Sequence, residues 1–388
     1  MKREICENQA VYTQTLIYKP VTGTERADSS LLPPHLRRRG YRLLETGEVE
    51  LAFYAPDAKV VEVTGNEKSI GFLKWKMEKG EEEDGFFTAR IPDVPAGFHY
   101  HRYMVDGVDT INPLVPVGYG SFMPTNFIEV ADDDCAFYFL KEVPHGTVST
   151  EYFFSEITGR TRICHVYTPP GYENGEKKYP VLYLQHGVGE NETGWVWQGK
   201  MNYILDNLIA AGECREMIVV ANTGYAFSQR YPSDYLPGNF DGMLINDCIP
   251  FIEDRYRVLS HRNTRAVAGL SMGSVQACRT ALLHPDIFAS FGVFSGCFPV
   301  VGYDYDGSRY MEKPELWNDD YDLVFIGAGE QEPFWPTTLE LIDNLRRQGA
   351  RITTYSCPGF HEWTVWRRCL RAMAKVLFKQ EQNERGGG

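Results

Sequence analysis

The sequence predicts an α/β protein whose mostly parallel central sheet is preceded by a small all-β sandwich. Three observations carry this. The 388 residues exceed what a single core normally serves, so two domains are expected. From Val49 to Val130 apolar residues recur with a period near two, in short runs separated by turn residues. From Arg160 onwards, buried strand-like runs alternate with helical patterns, which implies a parallel sheet covered on both faces.

In the first region "EVELAFYAP", "KVVEVTG", "FFTARIP" and "FHYHRYMVDG" read as strands between Pro-Asp, Gly-Asn and Pro-Ala-Gly breaks. Such spacing suggests a sandwich. "EKGEEEDG" reads as a solvated hairpin tip. In the second region "YPVLYLQHG" is a buried strand, "MNYILDNLIAAG" a helix, "EMIVVANTG" a strand and "DGMLINDCIPFIEDRYRV" a helix. "TRAVAGLS", "FASFGVFSG" and "DLVFIGAGE" follow as strands, "TLELIDNLRRQG" as a helix, "ARITTYSCPG" as a strand and "TVWRRCLRAMAKVLFKQ" as the closing helix. The boundaries expected are an N-terminal arm at 1–40, the sandwich at 41–135, a linker at 136–159, the α/β domain at 160–380 and a disordered tail at 381–388.

Composition narrows the function. Hydrophobic residues at 43% and charged residues at 23% are ordinary for a globular protein. The net charge of −13 argues against nucleic acid or an anionic membrane as partner and favours a neutral or mildly polar substrate. No apolar run approaches the roughly 18 residues of a membrane span. "MKREICENQAVYTQ" lacks the apolar stretch of a secretory signal, so a cytoplasmic location is expected. The nine scattered cysteines form no CxxC pair, which fits reduced thiols and no cysteine-based metal site.

The chemistry centres on "GLSMGS", Gly269 to Ser274. A G-x-S-x-G string alone is weak, because a serine between glycines also serves a plain turn. Here an apolar strand enters it and an apolar-periodic helix leaves it, the setting of a nucleophile elbow. Gly269 and Gly273 give room where the chain doubles back, and the helix N-terminus offers N–H groups to a developing oxyanion. Ser271 is therefore the candidate nucleophile, and it needs a base. The elbow motif predicts the order serine, acid, histidine. His284 ends the elbow's own helix and reads as a capping residue, so His361, in the loop after the last strand, is the candidate base. Glu330 and Glu332 follow the preceding strand, and either could orient His361; Asp343 lies too far along the next helix. The oxyanion donors expected are the backbone N–H of Met272 and that of Val188, with Gly187 as the neighbouring alternative. His186 precedes the serine and reads as structural. Trp195, Trp363 and Tyr225 are candidate substrate-binding aromatics near these loops.

The segment from about Val143 to Phe378 resembles the esterase-D-type α/β hydrolases, above all the feruloyl and acetyl-xylan esterases of carbohydrate esterase family one. The strings that carry this are "VPHGTVSTEYF", "RTRICHVYTPPGYE", "YPVLYLQHGVGENETGWVWQG", "NYILDNLIAAG", "IPFIEDRYRV", "RAVAGLSMGS" and "GFHEWTVWRR". The resemblance implies an α/β-hydrolase fold. The N-terminal stretch, with "FYAPDAKVVEVTG" and "PAGFHYHRYMVDGVDTINP", resembles the immunoglobulin-like module related to glycogen-binding domains. Carried over to matching positions, the family pattern implies Ser271 as nucleophile, His361 as base and Glu332 as acid, since "GEQE" stands where the family has Gly-x-x-Asp. Two departures stand out: glutamate for aspartate at position 332, and Ser274 where the family has glycine, a change expected to narrow the space beside the elbow.

The expected function is hydrolysis of hydroxycinnamoyl or acetyl esters on xylan-derived oligosaccharides by a Ser-His-Glu triad, with no metal or cofactor. The alternatives are an enterochelin-type siderophore esterase and an acyltransferase on the same fold. Nothing in the sequence sets the oligomeric state, and a homo-oligomer is left open.

Overall fold

A computed structural model describes residues 40–65, 74–80, 85–130, 134, 136–227, 238–296, 298–299 and 308–379. The N-terminal arm up to residue 39, the tail from 381 and residues 81–84 of the acidic tip lie outside the described residues. The chain divides into two compact units, Met1–Phe139 with Glu362–Thr364 and Leu140–His361 with Val365–Gly388.

The first unit holds a nine-stranded sheet: β1 (Tyr41–Leu43), β2 (Val49–Tyr54), β3 (Val61–Gly65), β4 (Trp75–Lys79), β5 (Phe86–Ile91), β6 (Gly97–Val105), β7 (Val108–Thr110), β8 (Val117–Gly120) and β9 (Met123–Val130). The order is β1-β2-β5-β4-β3-β6-β9-β8, with β7 beside β6, and every pair is antiparallel. Val61, Val63, Met77, Ile91, Tyr103 and Ile128 fill its core.

Two histidines carry an acid-lability of this fold. His101 is 2% exposed, edge-on to the Tyr103 ring, and burial lowers its pKa from 6.5 to about 3. His186, in the second unit, is lowered by burial to about 4. A histidine depressed in the folded state binds fewer protons folded than unfolded, so stability rises with pH through that window and is lost as pH falls below about 6.5. The expected slope is up to about 1.4 kcal/mol per pH unit for each histidine. Urea midpoints between pH 7 and pH 4 measure it, and His101→Phe should flatten the curve.

The second unit holds an eight-stranded mixed sheet: β10 (Thr147–Ser155), β11 (Arg160–Thr168), β12 (Val181–Gln185), β13 (Ile218–Asn222), β14 (Arg265–Leu270), β15 (Ser290–Phe294), β16 (Leu323–Gly329) and β17 (Thr353–Cys357). Its helices are α1 (Gly194–Trp197), α2 (Met201–Ala210), α3 (Phe240–Met243), α4 (Ile249–Arg255), α5 (Met272–Leu283), α6 (Ser308–Glu312), α7 (Leu316–Asp320), α8 (Trp335–Arg347) and α9 (Trp363–Ala374). Strands β12 to β17 run parallel in the order β13-β12-β14-β15-β16-β17, while β10 and β11 add antiparallel at the β13 side. Strands β12, β13 and β15 are buried at every residue, as strands covered on both faces must be.

One boundary is corrected. The linker expected at 136–159 contains β10, paired along its whole length with β11. Its alternate residues Thr150, Tyr152 and Phe154 are exposed on an edge strand, so its composition reads as surface rather than as sheet. The helix expected from residue 241 carries a π turn at Leu244–Cys248 just before Pro250, which has no N–H for the regular ladder.

The connectivity creates the site. From β12 the chain goes to β13 on one side, then returns to β14 on the other, and ligands in open α/β sheets bind where the order reverses in this way. The loops after β12 and β14 therefore leave the sheet side by side, with Gln185 in register with Gly269.

Candidate active site

The elbow is built by close approach. A Cβ on Gly269 would stand 2.5 Å from Gly273 backbone, and one on Gly273 would stand 2.5 Å from the His186 carbonyl oxygen. Only glycines let β14 meet α5 this tightly. Between them Ser271 takes φ 51° and ψ −119°, a left-handed conformation costing about 1–3 kcal/mol in a non-glycine residue. Its N–H donates to the Phe294 carbonyl at 2.9 Å. Ser274 is fully buried beneath the elbow, and its hydroxyl donates to the Ser271 carbonyl at 2.6 Å. The expectation that Ser274 narrows the open space is thus corrected: it braces the turn from below. A Cβ on Gly296 would lie 1.6 Å from its Oγ, so this serine requires a glycine opposite.

Successive strands deliver the remaining groups. Ser271 follows β14, Ser295 follows β15, Glu332 lies past β16 and His361 past β17. His361 Nε2 lies 2.8 Å from Ser271 Oγ, and its Nδ1 lies 2.9 Å from Glu332 Oε2. The imidazole side chain is 46% exposed while the Glu332 side chain is 1% exposed, so the carboxyl group sits behind the imidazole and away from water. The Trp366 ring stands edge-on to the imidazole at 5.1 Å.

The string "GEQE" works residue by residue. Gly329 lets the β17 loop cross over, because a Cβ there would lie 2.2 Å from the Gly359 carbonyl oxygen. Gln331 pins that loop by accepting the Gly359 N–H and donating its own N–H to the Gly359 carbonyl. Glu332 turns back, and its Oε1 accepts the Gly329 N–H at 2.9 Å. Glu330 points elsewhere, accepting the Ser356 hydroxyl at 3.3 Å. Asp343 is on α8, paired with Arg346. His284 is the C-cap of α5, at the far end from Ser271, 3.6 Å from Asp241.

Ser295 was not visible as a site residue in the sequence. It is 2% exposed at φ 52°, and its hydroxyl donates to Glu332 Oε1. The only local signal is "FSG", a serine at the end of a buried strand beside the elbow strand.

Among the described residues the Met272 N–H opens α5 with no acceptor, and the Val188 N–H has none either. Gly187, the alternative donor, is committed: its N–H donates to Glu190 Oε2 at 3.1 Å. The Gly189 N–H donates to the Tyr225 hydroxyl at 2.8 Å. The Val188 side chain is 47% exposed at this edge.

Two substrate-binding expectations are corrected. Trp195 is 1% exposed, and its indole N–H donates to the Gln185 carbonyl at 2.8 Å, so it anchors the end of β12. Trp363 is also 1% exposed and offers no surface to a ligand. Tyr225 is half-buried, with its ring stacked on Phe227 at 5.9 Å. Sequence alone could not separate these cases, because a tryptophan beside a loop packs inward or outward according to neighbours from distant segments.

No helix among the described residues is long and apolar enough to cross a membrane. Residues 155–377 match the family model "Esterase". The chain is similar to an endo-1,4-beta-xylanase/feruloyl esterase of Xylanibacter ruminicola, 34% identical over 336 residues, which is 84% of this chain and 44% of that protein. It thus spans less than half of that relative's length. In fold it is similar to a CE1 ferulic acid esterase of Anaeromyces mucronatus solved with ferulic acid, with TM-score 0.52, 23% identity, and 64% of this chain and 96% of the other covered. It is also similar to the enterobactin esterase of Shigella flexneri, with TM-score 0.57, 15% identity, and 85% and 93% covered. With an elbow serine on a mixed α/β-hydrolase sheet and more than half its length matched, the chain belongs to the Esterase family.

Proposed function

We propose that the chain is a serine esterase that hydrolyses hydroxycinnamoyl or acetyl esters on xylan-derived oligosaccharides. The observation that carries this reading is the unbroken series Ser271 Oγ to His361 Nε2 at 2.8 Å and His361 Nδ1 to Glu332 Oε2 at 2.9 Å. In this reading Ser271 attacks the ester carbonyl while His361 takes its proton. Glu332 accepts from Nδ1–H, which holds the tautomer that leaves Nε2 free as base and stabilises the imidazolium that forms. The Met272 and Val188 N–H groups receive the tetrahedral oxyanion. His361 then protonates the leaving alcohol, and water releases the acyl group.

The substrate class is supported by the rim. Val188, Phe334 and Phe360 expose 47%, 36% and 39% of their surface on loops after β12, β16 and β17, and the Tyr225–Phe227 stack follows β13. An apolar, aromatic rim suits a phenolic acyl group. The named activity of the Xylanibacter relative and the ferulic acid bound by the Anaeromyces esterase point the same way. The immunoglobulin-like character of the first unit belongs to this proposal as a packing or glycan-binding module.

A second reading, a siderophore esterase, is favoured by the greater share of the chain that the enterobactin esterase covers. The net charge of −13 disfavours a polyanionic catecholate substrate. Specificity constants for methyl ferulate, feruloyl-arabinose, acetylated xylo-oligosaccharide and enterochelin decide between them. The highest value is expected on a feruloyl or acetyl ester, and a preference for enterochelin would overturn the assignment.

A further inference from the structure

The helix that carries one oxyanion donor and the loop that carries the other are joined by a buried hydrogen-bond chain that takes no part in proton transfer. It starts at Gln276, 2% exposed in α5, whose Nε2–H donates to the Gly224 carbonyl at 2.8 Å. The Gly224 N–H donates to His186 Nε2 at 2.8 Å, which assigns the ring proton to Nδ1. Nδ1–H then donates to the Gly187 carbonyl at 2.8 Å. Burial lowers the His186 pKa to about 4, so the neutral ring with one donor and one acceptor persists at ordinary pH.

The end of this chain matters because the Gly187 carbonyl and the Val188 N–H belong to one peptide unit. A peptide is planar, so clamping its C=O sets the direction of its N–H. Accepting a bond at oxygen also polarises the unit and strengthens the N–H as a donor. The flanking N–H groups are spoken for by Glu190 and Tyr225, which leaves Val188 to face a ligand. At the node a Cβ on Gly224 would lie 3.0 Å from Gln276 Oε1 and 3.3 Å from His186 Nε2, so the chain closes around a glycine.

We propose that His186 and Gln276 are positioning residues that hold the Val188 N–H at a fixed separation and angle from the Met272 N–H, so that both meet one oxyanion. The proposal rests on the esterase reading and deepens it. A histidine that stands before the nucleophile in sequence thereby contributes to the reaction without touching the substrate.

The test uses the asymmetry of the ring. Asparagine at 186 puts an amide N–H near the place of Nδ1 and can keep the clamp on Gly187. Glutamine puts its amide near Nε2 and can keep only the Gly224 bond. On a chromogenic acetate ester, His186→Leu and His186→Gln are expected to lose about 30- to 100-fold in kcat, somewhat less than removal of a whole oxyanion donor. KM should stay within about threefold, since the interaction is made in the transition state. His186→Asn should recover to within about tenfold of the parent, and Gln276→Leu should lose about tenfold. The inhibition constant of a boronic acid, which forms a tetrahedral adduct on the serine, should rise in parallel with the fall in kcat. Equal activity of the Asn and Gln variants, a KM that rises as kcat falls, or an unchanged boronic acid constant would overturn the proposal. If His186→Leu does not fold, Gln276→Leu carries the same kcat-against-KM and inhibitor readouts with His186 in place. A parent enzyme inactive on every ester would instead defeat the esterase reading on which this rests.

Discussion

Ser271→Ala is expected to lower kcat for ester hydrolysis by about 10⁵-fold or more while the protein stays folded. Among the described residues the hydroxyl bonds only to His361 Nε2 at 2.8 Å, so its loss removes the proposed nucleophile and disturbs no core packing. The backbone makes the case sharper. Ser271 is held at φ 51° because β14 and α5 are locked by the Gly269 and Gly273 contacts and by the Ser274 hydroxyl below. An alanine keeps that strain, whereas Ser271→Gly relieves it and should stabilise the fold by about 1 kcal/mol while being equally inactive. Stopped assays on a chromogenic ester and urea midpoints for both variants give the two readings. Turnover that survives in the alanine variant would remove Ser271 from the mechanism.

Glu332→Gln should cost about 10⁴-fold in kcat, and Glu330→Gln less than about twofold. An amide at 332 can present its N–H to His361 Nδ1 and so stabilise the tautomer with the proton on Nε2, where it cannot act as base toward Ser271. Nor can an amide stabilise the imidazolium. Glu330, engaged with Ser356, has no such route to the ring. The Ser295 hydroxyl and the Gly329 N–H both donate to Oε1 and leave Oε2 aimed at Nδ1. Ser295→Ala should therefore fall between the two, at about tenfold, because a charge-assisted hydrogen bond worth about 1.5 kcal/mol is lost. Comparable losses from the two glutamine variants would move the acid away from Glu332.

Much of the second unit was legible because parallel strands buried on both faces leave long apolar runs, and five such runs, β12 to β16, were read in order. β10 and β11 escaped because edge and near-edge strands mix exposed and buried residues. In the first unit β4 and β9 escaped for a related reason: "WKMEK" buries one residue in five, and "MPTNFIEV" starts with two exposed residues, the second a proline. At the site, chain order and loop position pointed to Ser271 and His361. They narrowed the candidate acid to two glutamates two residues apart, and only the turn of the chain past Gly329 separates these.

By itself the sequence determined the parallel strands of the second unit and their order, the strand–turn–helix setting of Ser271, and the loops that bear Ser271, His361 and the two glutamates. These follow from local periodicity, glycine placement and chain order, all carried by neighbouring residues. Tertiary structure alone decided that Glu332 faces His361, that Ser295 donates to Glu332, that Trp195 and Trp363 are buried, and that His186 bonds to the Gly187 carbonyl. Each of those depends on which distant segments meet at one edge of the sheet, set by the crossing from β12 to β13 and back to β14. Hydrogen bonds between residues dozens of positions apart leave no pattern in the chain, because their geometry exists only once the strands are in register.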